Sequence, residues 1–249
     1  MNHVALIAGM GPDAGADTLA RFLRACRREL QAAGRPINDQ AYPHHVLVQH
    51  PIADRSAALL QGGASPVPGL VGAVGVAKAA GARTLGIACN TAHFWHGELQ
   101  ALFPDLEILH IADETARAVH RSGARTCAVL ATAATQRGGL FRRALAAHGL
   151  DTVAQSPGDE EAVHRAIFAI KAGRPEEGGP PLRAMLEQLL DRVDSVVLGC
   201  TELGLVIDAD PFAGRVVDAA SELANALAAK AYGTYPTHTS PSPQPTEQP

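Results

Sequence analysis

Two short stretches of the sequence carry residue types able to do chemistry. "ACNTAH" runs from Ala88 to His93 and sets Cys89 at the end of an apolar run. "GCTEL", Gly199 to Leu203, sets Cys200 in the same context after "SVVL". A free thiol has a pKa of about 8.5, which suitable surroundings bring near neutrality, so either cysteine could act as acid or base. Two such groups on opposite faces of an acidic carbon suit stereoinversion. A thiolate removes the proton from one face and a thiol returns one to the other. The reverse reaction exchanges the roles, so two similar groups serve better than an unlike pair. A helical pattern comes after each cysteine, and a helix N-terminus would lower a thiol pKa.

Without a cofactor, the negative charge left on carbon has to spread into a carboxylate as an enediolate, held by fixed donors. Asn90, Thr91 and Thr201 stand beside the thiols, and the "GMGP" turn around Met10 offers backbone N–H groups. The same residues admit other chemistry. A hydrolase with Cys89 as nucleophile and His93 as base leaves Cys200 without a role. An isomerase or decarboxylase of a small dicarboxylic acid could use both thiols. A pyridoxal phosphate enzyme needs a Schiff-base lysine, and only Lys78, Lys171 and Lys230 are available. A non-catalytic protein closing two lobes on an acidic metabolite is a reading of another class. Cys89, His93 and His96 form a C-x₃-H-x₂-H run, a weak metal signal. Helix capping or orientation of the site is the favoured role for His93, and no metal is expected. Cys26, on an apolar helix face, and Cys127, inside a strand, read as core filling.

The elements that position these residues alternate. Apolar runs such as "HVALIAG", "HHVLVQHP" and "TLGIAC" are separated by segments of helical spacing, and the pattern restarts at "RTCAVLATAAT". "PPLRAMLEQLLDRV" reads as a helix opened by its prolines. The two halves correspond: "ALIAGMGP" with "AVLATAAT", "LGIACNTAH" with "VVLGCTEL", and "LHIADETA" with "VVDAASELA", which pairs Asp113 with Asp218. This order implies an internal duplication, giving an α/β protein of two pseudo-symmetric Rossmann-like domains with parallel sheets. Ligands in such folds lie outside the carboxyl ends of the strands. Both cysteine turns fall there, so they would face each other across one interdomain cleft. Residues 1–113 and 209–233 are assigned to the first domain and 114–208 to the second. The Pro/Ser/Thr-rich segment 234–249 reads as a disordered tail.

At this point the motifs support a resemblance. "GMGP", "ACNTAH" and "GCTEL", with "ADRS" and "IKAG" between them, resemble the aspartate/glutamate racemase family, and its aspartate racemase branch in particular. The resemblance implies a cofactor-independent amino-acid racemase working by two bases on aspartate, with glutamate as second candidate, commonly as a homodimer. It assigns the acid–base roles to Cys89 and Cys200. It also makes Arg55 a ligand of a substrate carboxylate, Lys171 a cation facing the same ligand, and Thr132 a substrate contact from the second domain. Three features depart from the branch. Gly15 stands where a threonine is usual, "ATAATQRGG" replaces a Thr-Gly-Thr turn around Thr132 and Thr135, and "VQHP" lacks the usual asparagines.

Composition excludes several partners. A net charge of -4, with basic residues spread along 249 residues, gives no reason to expect nucleic acid. No apolar segment is long enough for a membrane span. The start, "MNHVALIAGMGP", enters an apolar run without a basic leader, and a cytoplasmic location is expected.

Overall fold

The central apolar runs become strands buried on both faces, as parallel strands covered by helices should be, while the edge strand from "HHVLVQHP" is only partly buried. The computed structural model describes residues 1–236 apart from Ala213. The first half runs β1 (Val4–Ala8), α1 (Pro12–Ala32), β2 (His45–Gln49), α2 (Arg55–Leu60), α3 (Val67–Ala79), β3 (Thr84–Ile87), α4 (His96–Leu102), β4 (Glu107–Ile108) and α5 (Ile111–Arg121). The second runs β5 (Thr126–Leu130), α6 (Ala133–Arg137), α7 (Leu140–Ala147), β6 (Asp151–Thr152), α8 (Pro157–Lys171), α9 (Pro175–Leu190), β7 (Ser195–Leu198), β8 (Val216–Asp218) and α10 (Ala219–Tyr232).

Two four-stranded sheets result, ordered β2-β1-β3-β4 and β6-β5-β7-β8, and every pairing is parallel. The duplication read from the sequence is therefore a duplication of topology. Side chains alternate between cores: Ala5 and Ile7 of β1 enter the outer core of the first sheet, while Val4 and Leu6 enter a core shared by both halves. In the second sheet Ala128 and Leu130 face its own outer core, while Cys127 and Val129 face the shared one. The shared core ties the halves together through Phe22, Phe141, Leu145, Leu223 and Leu227.

Several boundaries differ from the sequence reading. The segment 209–233, expected wholly with the first domain, divides. β8 hydrogen-bonds to β7 and completes the second sheet, whereas α10 returns to pack on α1 and β3. α5, assigned from residue 114 to the second domain, packs on α10, α7 and β8. Strand pairing between distant segments, invisible in local composition, decides this. The Asp113–Asp218 correspondence is out of step by three residues. Asp218 is the N-cap of α10, accepting from Ala220 N and Ser221 N, whereas the N-cap of α5 is His110 and Asp113 lies inside its first turn. α9 opens at Pro175, with Glu176 and Glu177 in the first turn where the helix dipole favours acids, and Pro180 and Pro181 fall inside it. Thr234 and Tyr235, assigned to the disordered tail, are hydrogen-bonded to the fold. Tyr235 donates to Glu114 Oε1 at 2.7 Å and its ring takes the Lys230 ammonium at 4.0 Å. Residues 237–249 lie outside the described residues. Among the described residues no helix is long and apolar enough to cross a membrane.

Candidate active site

The two cysteines occupy equivalent places. In the first half Ala88 N donates to Ile7 O at 2.8 Å, continuing the β1–β3 ladder past the end of β3, and Cys89 comes next. In the second Gly199 N donates to Leu130 O at 2.8 Å, continuing β5–β7, and Cys200 comes next. Each thiol thus stands at the carboxyl edge of a sheet, beside the point where the chain order reverses on either side of β1 or β5, where open α/β sheets bind ligands. The expected helix N-termini are absent. Cys89 leads into a 3₁₀ segment, Thr91–Trp95, and Cys200 into another, Leu203–Leu205. One or two turns align few peptide dipoles, so a macrodipole is not what tunes these thiols.

Both cysteines line a single enclosed cavity of ≈ 20 Å³ together with Arg55, Asn90, Thr91, Thr132, Lys171 and Thr201. That volume holds about one water molecule. Binding anything as large as an amino acid requires the two halves, or an element at the rim, to move apart.

Arg55, at the start of α2, donates from Nη1 to Ile52 O and Ala53 O at 3.1 and 3.0 Å and from Nη2 to Met10 O at 2.8 Å. Its Nε is buried without a partner among the described residues. Lys171, the last residue of α8, donates to Met10 O at 3.1 Å and pairs closely with Glu202. Met10 therefore serves the site through its carbonyl oxygen, which gathers both cations, while its side chain fills the core beneath and does not line the cavity. Lys171, a cation at the C-terminus of α8 two residues before Gly173, is brought into the site.

Glu202 is the main site residue missing from the sequence reading. Its carboxylate is 2% exposed, pairs with Lys171, and accepts from Cys200 Sγ at 3.0 Å and Thr201 Oγ1 at 3.4 Å. An acid two residues beyond a strand-end cysteine is the signal that could have found it. Asp54 also lines the cavity while capping α2 through Ala57 N.

On the opposite side, Asn90 is 3% exposed and neither its Oδ1 nor its Nδ2 finds a partner among the described residues. Leaving both ends of a buried amide unpaired costs free energy that a bound ligand would recover. Thr91, Thr132 and Thr135 close a triangle of hydroxyls across the two halves, with Oγ1 separations of 3.4, 2.9 and 3.1 Å. Thr132 caps α6 and lines the cavity; Thr135 stands behind it.

Burial and then the Glu202 carboxylate push the Cys200 thiol well above its ordinary pKa, with Lys171 opposing. Burial works against the Lys171 charge, yet Cys200, Glu202 and Cys89 outweigh it and raise its pKa. Both values favour a resting site with Cys200 protonated and Lys171 charged. Since a protonated Cys200 carries no charge, the Glu202 carboxylate is the partner we hold responsible for the Lys171 shift. His93 is buried behind Cys89, with Nδ1 2.9 Å from Cys89 O and Nε2 3.3 Å from Leu109 O. Burial, then His110 and His96, push its pKa down to about 3, so the ring is neutral. Its single proton belongs on the shorter contact, which fixes the Cys89 backbone. Cys26 and Cys127 are fully buried, and burial raises them to about 12 and about 11. Neither lines the cavity.

This arrangement matches a known family. Residues 7–227 fit the model of the Asp/Glu/Hydantoin racemase family. The chain belongs to that family. It is 25% identical over 206 residues to the broad specificity amino-acid racemase RacX of Bacillus subtilis (strain 168), covering 82% of this chain and 87% of that protein. The Picrophilus torridus aspartate racemase superposes with a TM-score of 0.77 at 26% identity, covering 94% of each chain. PH1733, an aspartate racemase homologue from Pyrococcus horikoshii OT3, has the same fold, with a TM-score of 0.67 at 21% identity over 93% of this chain and all of that one. The family and these relatives support an amino-acid racemase. Within the family scaffold, one departure has a structural reason. A Cβ on Gly15 would lie 2.5 Å from Ala8 Cβ and 3.1 Å from Gln49 Oε1, so glycine is what lets α1 lie against β1.

Proposed function

We propose that the chain interconverts L- and D-aspartate by a two-base mechanism without pyridoxal phosphate, with Cys89 and Cys200 exchanging the α-proton. The observation carrying this is the placement of two thiols at equivalent strand ends around one cavity, with the Lys171 ammonium beside them. In the resting enzyme Cys200 holds its proton against Glu202, so Cys89 opens the cycle as the base. Its thiolate takes the α-proton and becomes a thiol. The electron pair left on carbon spreads into the carboxylate, which Asn90, Thr91, Thr132 and Thr201 stabilise as an enediolate. Cys200 then delivers its proton to the opposite face and becomes a thiolate, stabilised by Lys171. The reverse turnover returns a proton to Cys200 and leaves Cys89 a thiolate again. Arg55 holds a substrate carboxylate through its unpaired Nε edge.

A second reading concerns the substrate alone. Two cations, Arg55 and Lys171, face two carboxylates, Asp54 and Glu202, around the cavity. With the charges balanced, an amino acid lacking a second carboxylate meets no electrostatic penalty relative to aspartate. The test is proton NMR of L- and D-aspartate, then glutamate and alanine, incubated with the protein in D₂O. Loss of the α-proton signal accompanied by inversion is expected with aspartate. Inversion of alanine at the same rate would shift the substrate to neutral amino acids, and no exchange with any of them would overturn the racemase reading.

A further inference from the structure

The ≈ 20 Å³ reaction cavity is separated by one layer of side chains from an outer vestibule of ≈ 230 Å³. Asp54, Ser56 and Phe168 line both spaces, and of these only Phe168 is large and apolar. It lies on α8 one turn before Lys171, on the same helix face, and its side chain reaches the rim with 36% of the residue exposed. One flank of the ring is fixed. It packs on the His164 ring at 4.5 Å between centroids, and His164 Nδ1 accepts from Ala133 N at 3.2 Å, at the start of α6. The facing wall is α2, which buries none of its six residues. Beyond Arg55, which is hydrogen-bonded at the start of α2, an element with so little buried surface opens at low cost, whereas the Phe168 side is held.

We propose that substrate enters between α2 and α8 and that Phe168 is the specificity-determining residue there, limiting the site to amino acids with small side chains. The choice of amino acids rests on the racemase reading; the route does not. Opening of α2 alone lets a small zwitterion reach the thiols. A longer side chain would have to pass through the volume of the Phe168 ring into the vestibule. Replacing that ring by a methyl group merges the two spaces.

Two measurements on Phe168→Ala and Phe168→Leu test this. The first is alkylation of Cys89 and Cys200, resolved by peptide mass spectrometry, with iodoacetamide as the small probe and N-benzylmaleimide as the bulky one. Buried Cys26 and Cys127 report any general loosening of the fold. Relative to iodoacetamide, the maleimide should react roughly tenfold faster with the two site cysteines in Phe168→Ala, by an intermediate factor in Phe168→Leu, and no faster with Cys26 or Cys127. Equal maleimide rates in wild type and variant would overturn the proposal. The second is α-proton exchange in D₂O with aspartate, leucine and glutamine. Phe168→Ala should raise the rate for leucine and glutamine over that for aspartate by about 10–200-fold, the range a hydrophobic pocket commands. An unchanged preference would overturn the size limit. A wild type that exchanges nothing refutes the racemase reading instead, and alkylation then decides the route by itself.

Discussion

The Cys89 and Cys200 turns are copies in backbone and opposites in chemistry. Each thiol is 6% exposed and succeeds the same ladder hydrogen bond at the same strand end. Two residues on, one turn has the neutral Thr91 and the other the buried carboxylate of Glu202. One residue on, Asn90 waits with an unpaired amide, while Thr201 is bonded to Glu202. Behind Cys89 stands a histidine cluster in which His93 is neutral; beside Cys200 stands an ion pair with Lys171. Duplication of the fold supplies two facing positions, and the neighbours that the copies do not share hold the proton on Cys200.

The largest effect expected from breaking this comparison comes from the thiols themselves. Cys89→Ala and Cys200→Ala should each lower racemisation by about 10²–10⁴-fold, the usual contribution of a positioned acid or base. Equal, mild losses would mean that neither turn carries the chemistry.

His93 comes next, because it marks the Cys89 side alone. Its folded pKa of about 3 lies below the unfolded value of 6.5, with His96 and His110 facing it and Asp113 pairing with His110. The unfolded chain therefore binds the extra proton between these pH values. Stability is fully present above about pH 6.5 and falls as the pH drops toward 3, by on the order of 5 kcal/mol in full. Urea denaturation from pH 7 to pH 4 should show that slope in the wild type and a flatter one in His93→Gln. Identical slopes would contradict the burial argument.

Glu202→Gln gives a smaller effect that sharpens the contrast. Removing the carboxylate leaves burial but takes away the charge that raises Cys200, so the Cys200 pKa falls toward its ordinary value. For the enantiomer whose proton Cys200 removes, the rising limb of the pH–rate profile should move to lower pH, while the other enantiomer's limb stays in place. Movement of both limbs together would show that Glu202 acts on the whole site.

Much of this is legible in the sequence because strands and strand-end turns are local. "LGIAC" and "VVLGC" announce a buried strand, a small residue and a thiol, and their repetition announces the symmetry. The site residues Arg55, Asn90, Thr91, Thr132, Lys171 and Thr201 do meet at one cavity. The features that escape the sequence are non-local or depend on fine geometry. Membership of β8 in the second sheet is set by pairing with β7, across a gap no periodicity reports. The helical pattern after each cysteine tightens into 3₁₀ turns, which removes the dipole argument. Glu202 stands in the "GCTEL" motif without a role in the sequence reading, and its burial against Lys171 and Cys200 makes it part of the site. Phe168 has no mark in the sequence, and its place between two cavities exists only once α2 stands opposite.

The most direct test of the central claim is α-proton exchange in D₂O by Cys89→Ser and Cys200→Ser, with L- and D-aspartate supplied separately. If the two turns face opposite sides of the α-carbon, each variant should retain exchange with one enantiomer only, and the two variants should retain opposite enantiomers. Retention of the same enantiomer by both, or of full inversion by either, would contradict a two-base site built from this duplicated turn.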